Sequence, residues 1–369
     1  MKKNRFLMVL GLIFALNILY ISWCAGESPS LAWQRRFDTG YMDAVQSMVI
    51  DRVGNIYLTG LFGDRYSGWL ALKYSSSGDL IWQRKYKNWL VPWVNGIAVD
   101  DTGNVYINGG SEGFFSQNYF TVKYDLDGEI VWEKILNKKV GANRGGILID
   151  NAGNVFLAGM INLSTYLIIE YDPNGGVINE KKYDCKCNVK DIAFDKTGNV
   201  YLTGFIKNNC ITMKYDSSGD TVWQRVYSRG SENEVSGIAV DDTGNVYIVG
   251  WFYNRPGSKC FTVKYNSNGD TLWEKVCDGE GSDYGEDIVV DTAGNAYIVG
   301  RSASNHKVIL SIFKYSSNGD VVWQSTYKCR GYYSQKSNIA VDLAGNIYIA
   351  RTIYNGQTND YLILKYIQK

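Results

Sequence analysis

The sequence has few of the residues on which most enzyme chemistry depends. Its 369 residues include one histidine, His306, and four prolines. A single histidine excludes most Ser-His catalysis and most metal-dependent hydrolysis. The 38 basic residues are balanced by 37 acidic ones, so we expect no basic surface for nucleic acid. The chain is instead rich in aromatic residues and in its 39 glycines, a composition that predicts many strands joined by tight turns.

The N-terminus is typical of an export signal. Three basic residues within the first five precede an apolar run over 6–23, and two small residues, Ala25 and Gly26, follow. We expect 1–26 to be a signal peptide or an uncleaved membrane anchor, with a lipid-modified Cys24 as a third alternative. The protein would then be secreted, or held at the outer cell surface or in the periplasm, with membrane contact only through this segment. Residues 27–369 are expected to form one domain.

An internal repeat determines the predicted architecture. The pattern Asp-x-x-Gly-Asn recurs seven times, at a period of about 48 residues that is typical of a propeller blade of four strands. The repeats begin at Asp51, Asp100, Asp150, Asp195, Asp241, Asp291 and Asp342. Each unit predicts two hairpins, A–B and C–D. In the A–B hairpin, Asp100 caps a type I turn and Gly103 takes the left-handed position. In the C–D hairpin, Ser77-Gly78 predicts a two-residue turn.

The seven repeats are displaced by one strand. The last unit ends without a strand D, whereas an additional strand, 33–37, precedes the first unit. We therefore predict an all-β, seven-bladed propeller of four-stranded antiparallel blades, in which the N-terminal strand lies outside 361–366. That pairing would close the ring and remove both free sheet edges.

The repeat resembles a known family. The segment 237–250, followed by Lys264-Tyr265 and Trp273, is similar to the bacterial seven-bladed beta-propeller repeat family, and the resemblance extends over 31–369. It implies the propeller fold. It implies little about function, because the fold is a scaffold used for many purposes.

Repeated charged residues are expected to be structural. The C–D register places Lys264 opposite Trp273, and blade three replaces the equivalent pair with Glu170 and Asn179, so we interpret the pair as a cation over an indole face. The turn aspartates are expected to bind their own backbone and not calcium. No metal and no cofactor is expected.

The same register places Cys260 opposite Cys277. In an exported protein this pair predicts a disulfide, with two buried thiols as the alternative. Cys187 and Cys210 are expected on one face of blade four. The pairing of Cys185, Cys187, Cys210 and Cys329 stays open.

Variation in connection length is confined to the B–C and D–A connections, which share one face of the disc, here called the variable face. Aromatic residues in these connections predict ligand contacts. The candidates, with one arginine near the channel mouth, are Trp89, Trp93, Phe114, Phe115, Trp251, Phe252, Tyr253, Arg301, Tyr332, Tyr333 and Tyr354. Candidates for a polar site at the channel mouth are Asp191, Glu286 and Asp287.

No catalytic motif accompanies these candidates: the sequence has no Gly-x-Ser-x-Gly, no His-Glu-x-x-His and no phosphate-binding loop. The pattern favours a monomeric, non-catalytic module that binds a glycan, peptide or protein partner at the variable face. Two alternatives stay open. One is an enzyme with a polar site in the central channel, acting on a glycan or small metabolite, and the other is a structural component of a surface layer.

Overall fold

The computed structural model describes 27–63, 68–87, 91–112, 117–136, 146–150, 152–160, 165–184, 187–277, 281–304, 307–329 and 336–368. These residues form 28 strands arranged in seven antiparallel sheets of four. Within these ranges, the structure has no helix whose length and apolar character would let it cross a membrane. The predicted signal segment, 1–26, lies outside the described residues.

Each sheet is one blade, and strands A to D follow in chain order in the first six. The strands are β1 (Ser30–Phe37); blade one, β2 (Ala44–Ile50), β3 (Ile56–Phe62), β4 (Gly68–Tyr74), β5 (Leu80–Lys87); blade two, β6 (Val91–Val99), β7 (Val105–Glu112), β8 (Gln117–Tyr124), β9 (Ile130–Leu136); blade three, β10 (Gly146–Ile149), β11 (Val155–Met160), β12 (Thr165–Tyr171), β13 (Val177–Asp184); blade four, β14 (Asn188–Phe194), β15 (Val200–Ile206), β16 (Asn209–Tyr215), β17 (Thr221–Tyr227); blade five, β18 (Asn233–Val240), β19 (Val246–Asn254), β20 (Gly257–Tyr265), β21 (Thr271–Cys277); blade six, β22 (Ser282–Val290), β23 (Ala296–Ser304), β24 (Lys307–Tyr315), β25 (Val321–Cys329); and blade seven, β26 (Asn338–Val341), β27 (Ile347–Tyr354), β28 (Asn359–Ile367).

The ring closes as the sequence predicts. Strand β1 pairs antiparallel with β28, from Ser30 opposite Ile367 to Phe37 opposite Tyr361, so it supplies the missing strand D of blade seven. The A strands of neighbouring blades contact one another, which places them around the central channel. Among the described residues, the buried apolar side chains form seven clusters, one between each pair of neighbouring blades. Stability therefore depends on contacts between blades and on ring closure.

The A–B turns follow the predicted geometry. The Asp100 carbonyl accepts a hydrogen bond from Gly103 N, and Gly103 has φ +85°, a left-handed conformation. The Asp100 carboxylate accepts bonds from Asn104 and from the Tyr106 hydroxyl at 3.0 Å. Burial alone would raise the pKa of Asp100, but these bonds and one from Thr102 outweigh burial and lower the pKa. The carboxylate is therefore engaged by its own turn.

The C–D turn differs from the prediction. Gly78 N bonds to the Ser75 carbonyl and Ser75 N bonds to the Asp79 carbonyl, so the connection is a type I turn followed by a left-handed glycine and a bulge. The prediction of a two-residue turn is therefore wrong. The predicted register survives because the bulge lies between Lys73 and the turn, and Lys73 still faces Trp82.

The Lys–Trp pairs are confirmed in register but not in contact. Lys264 lies opposite Trp273 on one side and opposite Tyr247 on the other. Its ammonium lies 4.8 Å from the centroid of the Tyr247 ring. The predicted cation over the indole is therefore wrong for this lysine, because its side chain bends across the tyrosine on strand B toward the next blade.

The lysine and the tryptophan instead bind the next blade together. Lys264 Nζ and Trp273 Nε1 donate to one acceptor, the Ser317 carbonyl in the C–D turn of blade six, at 3.0 and 3.1 Å. We call this arrangement the turn clamp. It recurs for Lys73 and Trp82 on Leu126, Lys123 and Trp132 on Pro173, Lys214 and Trp223 on Ser267, and Lys365 and Trp33 on Ser76. In blade six the acceptor is the side-chain oxygen of Gln368.

Candidate functional site

A polar pocket lies on the variable face at the channel mouth. It has a volume of about 360 Å³ and is formed by residues of blades four to seven. Its lining is Lys190, Glu234, Val235, Ser236, Trp251, Tyr284, Gly285, Glu286, Arg301 and Lys336. Of the predicted residues, the structure brings Trp251, Arg301 and Glu286 together here. We call it the Trp251 pocket.

Bulges in the A strands position several of its side chains. The register of β14, β18 and β22 skips one residue in each strand, namely Lys190, Ser236 and Glu286. A bulge leaves one residue unpaired between the two strands and changes the direction in which its side chain points. The side chains of all three bulge residues line the pocket. Sequence analysis missed Lys190 and Ser236, since the bulge is visible only in the pairing of strands A and B.

The aromatic wall joins two blades. Trp251, near the end of β19, packs edge-to-face on Tyr284 of β22, with ring centroids 5.4 Å apart. The Arg301 guanidinium lies 4.5 Å from the Tyr284 centroid, on the same ring. Arg301 also donates to the Glu286 carboxylate. The result is a continuous row from an indole, through a phenol, to an ion pair.

Paired charges surround that row. Lys190 and Glu234 form an ion pair at 2.6 Å, and the Lys336 ammonium lies 3.4 Å from the Asp287 carboxylate. Burial would lower the pKa of Lys336, but the carboxylates of Asp287, Asp191 and Glu286 outweigh it, so the pKa is raised and the ammonium stays charged. The pocket thus presents both positively charged hydrogen-bond donors and negatively charged acceptors to a ligand.

The two predicted channel aspartates bridge blades. Asp191 accepts the Ile238 amide of blade five, and Asp287 accepts the Ile339 amide of blade seven, each at 3.0 Å. Burial raises the pKa of Asp191, Lys336 lowers it and Asp287 raises it further, with the net result a raised pKa. These equivalent bonds in blades four and six tie adjacent A strands together.

The other aromatic candidates are scattered. Trp93 and Phe252 are only 5% and 2% exposed, and neither lines the Trp251 pocket, so a ligand contact by these two residues stays a prediction. Tyr253 and Tyr354 are exposed, at 37% and 39%, outside the Trp251 pocket. The remaining candidates lie outside the described residues: Trp89, Phe114, Phe115, Tyr332 and Tyr333.

The cysteine register is confirmed. Cys260 and Cys277 are directly paired across β20 and β21, and both are thiols in the structure. The hydrogen bond to Cys277, together with burial, raises the pKa of the Cys260 thiol. Cys187 packs between blades three and four, whereas Cys210 packs between blades four and five, so their predicted common face is wrong. Cys185 lies outside the described residues, and the disulfide stays a prediction.

We expect oxidation to join Cys260 to Cys277, because the two residues are directly paired across β20 and β21. Non-reducing peptide mapping of exported protein should recover the linked peptides, and reduction should cost about 2–3 kcal/mol of stability. The buried Cys210 is the internal control, since it should be alkylated only after unfolding. Recovery of both cysteines as free thiols under denaturing, non-reducing conditions would refute the disulfide.

Comparison with known proteins agrees with this architecture. Residues 278–306 match the model of the family described as a beta-propeller repeat. A segment of blade six thus matches this repeat, in a chain that folds as a seven-bladed propeller. None of the curated proteins compared with it matches.

Solved structures resemble the propeller over most of its length. A catalytically inactive virginiamycin B lyase of Staphylococcus aureus, solved with quinupristin, has a TM-score of 0.62 at 13% identity, covering 91% of this chain and 99% of that one. The polysaccharide lyase Uly1 has a TM-score of 0.54 at 9% identity, covering 95% and 94%. The WD40 domain of Toxoplasma gondii coronin has a TM-score of 0.54 at 11% identity, covering 94% and 89%. At these identities the likeness shows the fold alone.

Proposed function

We propose that the protein is an exported, non-catalytic binding propeller that holds a glycan, peptide or protein partner in the Trp251 pocket. The observation that carries the proposal is the convergence of Trp251, Arg301 and Glu286 in one polar cavity. An aromatic ring beside paired charges suits a ligand with both an apolar face and hydrogen-bonding groups, such as a sugar ring or a peptide segment.

Two further features support binding over catalysis in the channel. Asp191 and Asp287, which an enzyme would use, already bond to the backbone of the next blade. The pocket also lies on the face where connection lengths vary, which is where binding residues are expected on a rigid scaffold.

The test is a screen of 27–369 against glycan and peptide arrays, followed by titration of a hit. Trp251→Ala and Arg301→Gln should each weaken binding at least about tenfold, which corresponds to a loss of 1.4 kcal/mol. Tyr354→Ala is the matched control, because it removes an exposed aromatic ring outside the pocket and should leave affinity unchanged.

Three results would count against the pocket. A hit that tolerates both pocket variants but is lost in Asp191→Asn with Asp287→Asn would move the site to the channel. Turnover of a bound glycan would favour the enzyme alternative. Self-assembly of a well-folded protein with no hit would favour the surface-layer alternative.

A further inference from the structure

The interface between blades three and four has no turn clamp. Phe156, Glu170 and Asn179 occupy the positions that hold a tyrosine, a lysine and a tryptophan in, for example, blade five. The acceptor that the clamp would bind, the Ser217 carbonyl in the turn of blade four, is bound instead by Lys181. At the two clamp positions blade three therefore has a carboxylate and an amide in place of an ammonium and an indole, and its ammonium reaches the turn from a different position, Lys181 on β13.

This replacement leaves a groove on the face opposite the Trp251 pocket. Two adjoining cavities of about 250 and 180 Å³ share Phe156, Phe194 and Gly198. The outer cavity is lined by Ile168, Tyr183 and Val200, together with Glu170, Asn179, Lys181 and Ser217. Phe156 is half-buried here, whereas Tyr57, at the equivalent position of blade one, is fully buried.

The groove has aromatic walls and an acidic group. The rings of Phe156 and Phe194 lie 5.5 Å apart, between centroids, and both border the two cavities. Among the described residues, the structure shows neither Glu170 nor Asn179 with a hydrogen-bond or ion-pair partner. Glu170 also reverses the charge that the clamp lysine carries at this position. A half-buried carboxylate beside aromatic rings favours a ligand that brings a cation.

We propose that the groove binds a ligand carrying an aromatic ring and an ammonium group. Such a ligand supplies the two groups that are missing at the positions of Glu170 and Asn179. Its ring lies against Phe156 and Phe194, its ammonium pairs with Glu170, and Asn179 is available to a ring N–H. The ligand chemistry is the same whether the source is a small aromatic amine or an aromatic-plus-lysine segment of a peptide.

Titration calorimetry of 27–369 with tryptamine, and separately with a Lys-Trp dipeptide, tests the proposal. We expect at least one probe to bind, and indole-3-acetate, whose charge is reversed, not to bind. Glu170→Gln should weaken binding at least about tenfold. Glu180→Gln is the matched control. Glu180 follows Asn179 on β13 but is exposed, so this substitution should leave the affinity unchanged.

A filled groove provides the second variant. Glu170→Lys combined with Asn179→Trp rebuilds the side chains of the other blades, so it should abolish binding while keeping or raising the melting temperature. Absence of binding by both amines at millimolar concentration, or binding that survives in the filled variant, would overturn the proposal. Either failure leaves the Trp251 pocket untested, because the two sites lie on opposite faces.

Discussion

Deletion of 27–38 is expected to lower the melting temperature by at least about 10 °C and to make the protein aggregate. This segment contains β1, which pairs along its length with β28. Trp33 and Arg35 donate to the Ser76 and Gly78 carbonyls of blade one, and the Tyr327 hydroxyl of blade six donates to Gln34. Loss of the whole strand removes the partly buried Trp33 together with these bonds and the pairing with β28, so we expect it to cost at least as much as one core truncation, about 3–5 kcal/mol, with a shift of about 2–4 °C per kcal/mol.

The deletion also exposes one edge of the blade-seven sheet. Without β1, the backbone of β28 becomes a free edge that another copy can pair with. Thermal unfolding followed by circular dichroism, with light scattering for aggregation, measures both effects. Removal of 27–29 alone keeps all of β1 and serves as the control. A soluble, monomeric deletion variant with an unchanged transition would contradict strand closure.

Trp323→Ala is expected to destabilise the propeller by about 3–5 kcal/mol, whereas Trp251→Ala should cost no more than about 1 kcal/mol. Trp323 is 1% exposed, packs against Tyr297 and donates to the Gln368 side chain. Its removal leaves a cavity between blades six and seven and leaves Gln368 without one of its donors. Trp251 lies at the edge of an open pocket and loses less packing.

Urea denaturation of the two variants measures the difference, because the chemical change is the same and only the position differs. Equal losses of stability would show that Trp251 is a core residue, and would remove it from the proposed site. A Trp323→Ala variant as stable as the parent would contradict the role of the turn clamp in holding neighbouring blades together.

Local patterns were sufficient for most of the fold. The turn Asp and Gly residues predict where each hairpin reverses, and alternation predicts which residues face each other, so the pairing of Cys260 with Cys277 followed from counting. The pairing of the displaced strand 33–37 followed from the same count, since a blade that lacks one strand and a strand that lacks a partner are expected to pair. The two-residue C–D turn was wrong because a bulge beside Lys73 is compatible with the same register beyond it.

Contacts between blades were not accessible in this way. Lys264 and Ser317 are 53 residues apart and come into contact only when blade six packs against blade five. The sequence therefore indicated only a Lys–Trp pair within blade five. Trp93 looked like a loop residue but is buried in β6, because strand A continues past its bulge. The Trp251 pocket was predicted only as separate residues, since four blades contribute to it.

The sequence by itself determined the number of blades, the order of strands, the closure of the ring and the register within each blade. These depend on turn residues and on a period of two, which act over a few positions. The tertiary structure alone decided which aromatic side chains are buried, what each lysine binds, and where the pocket and the groove lie. Those outcomes depend on residues about 50 positions apart, which come together only when the blades pack in a ring.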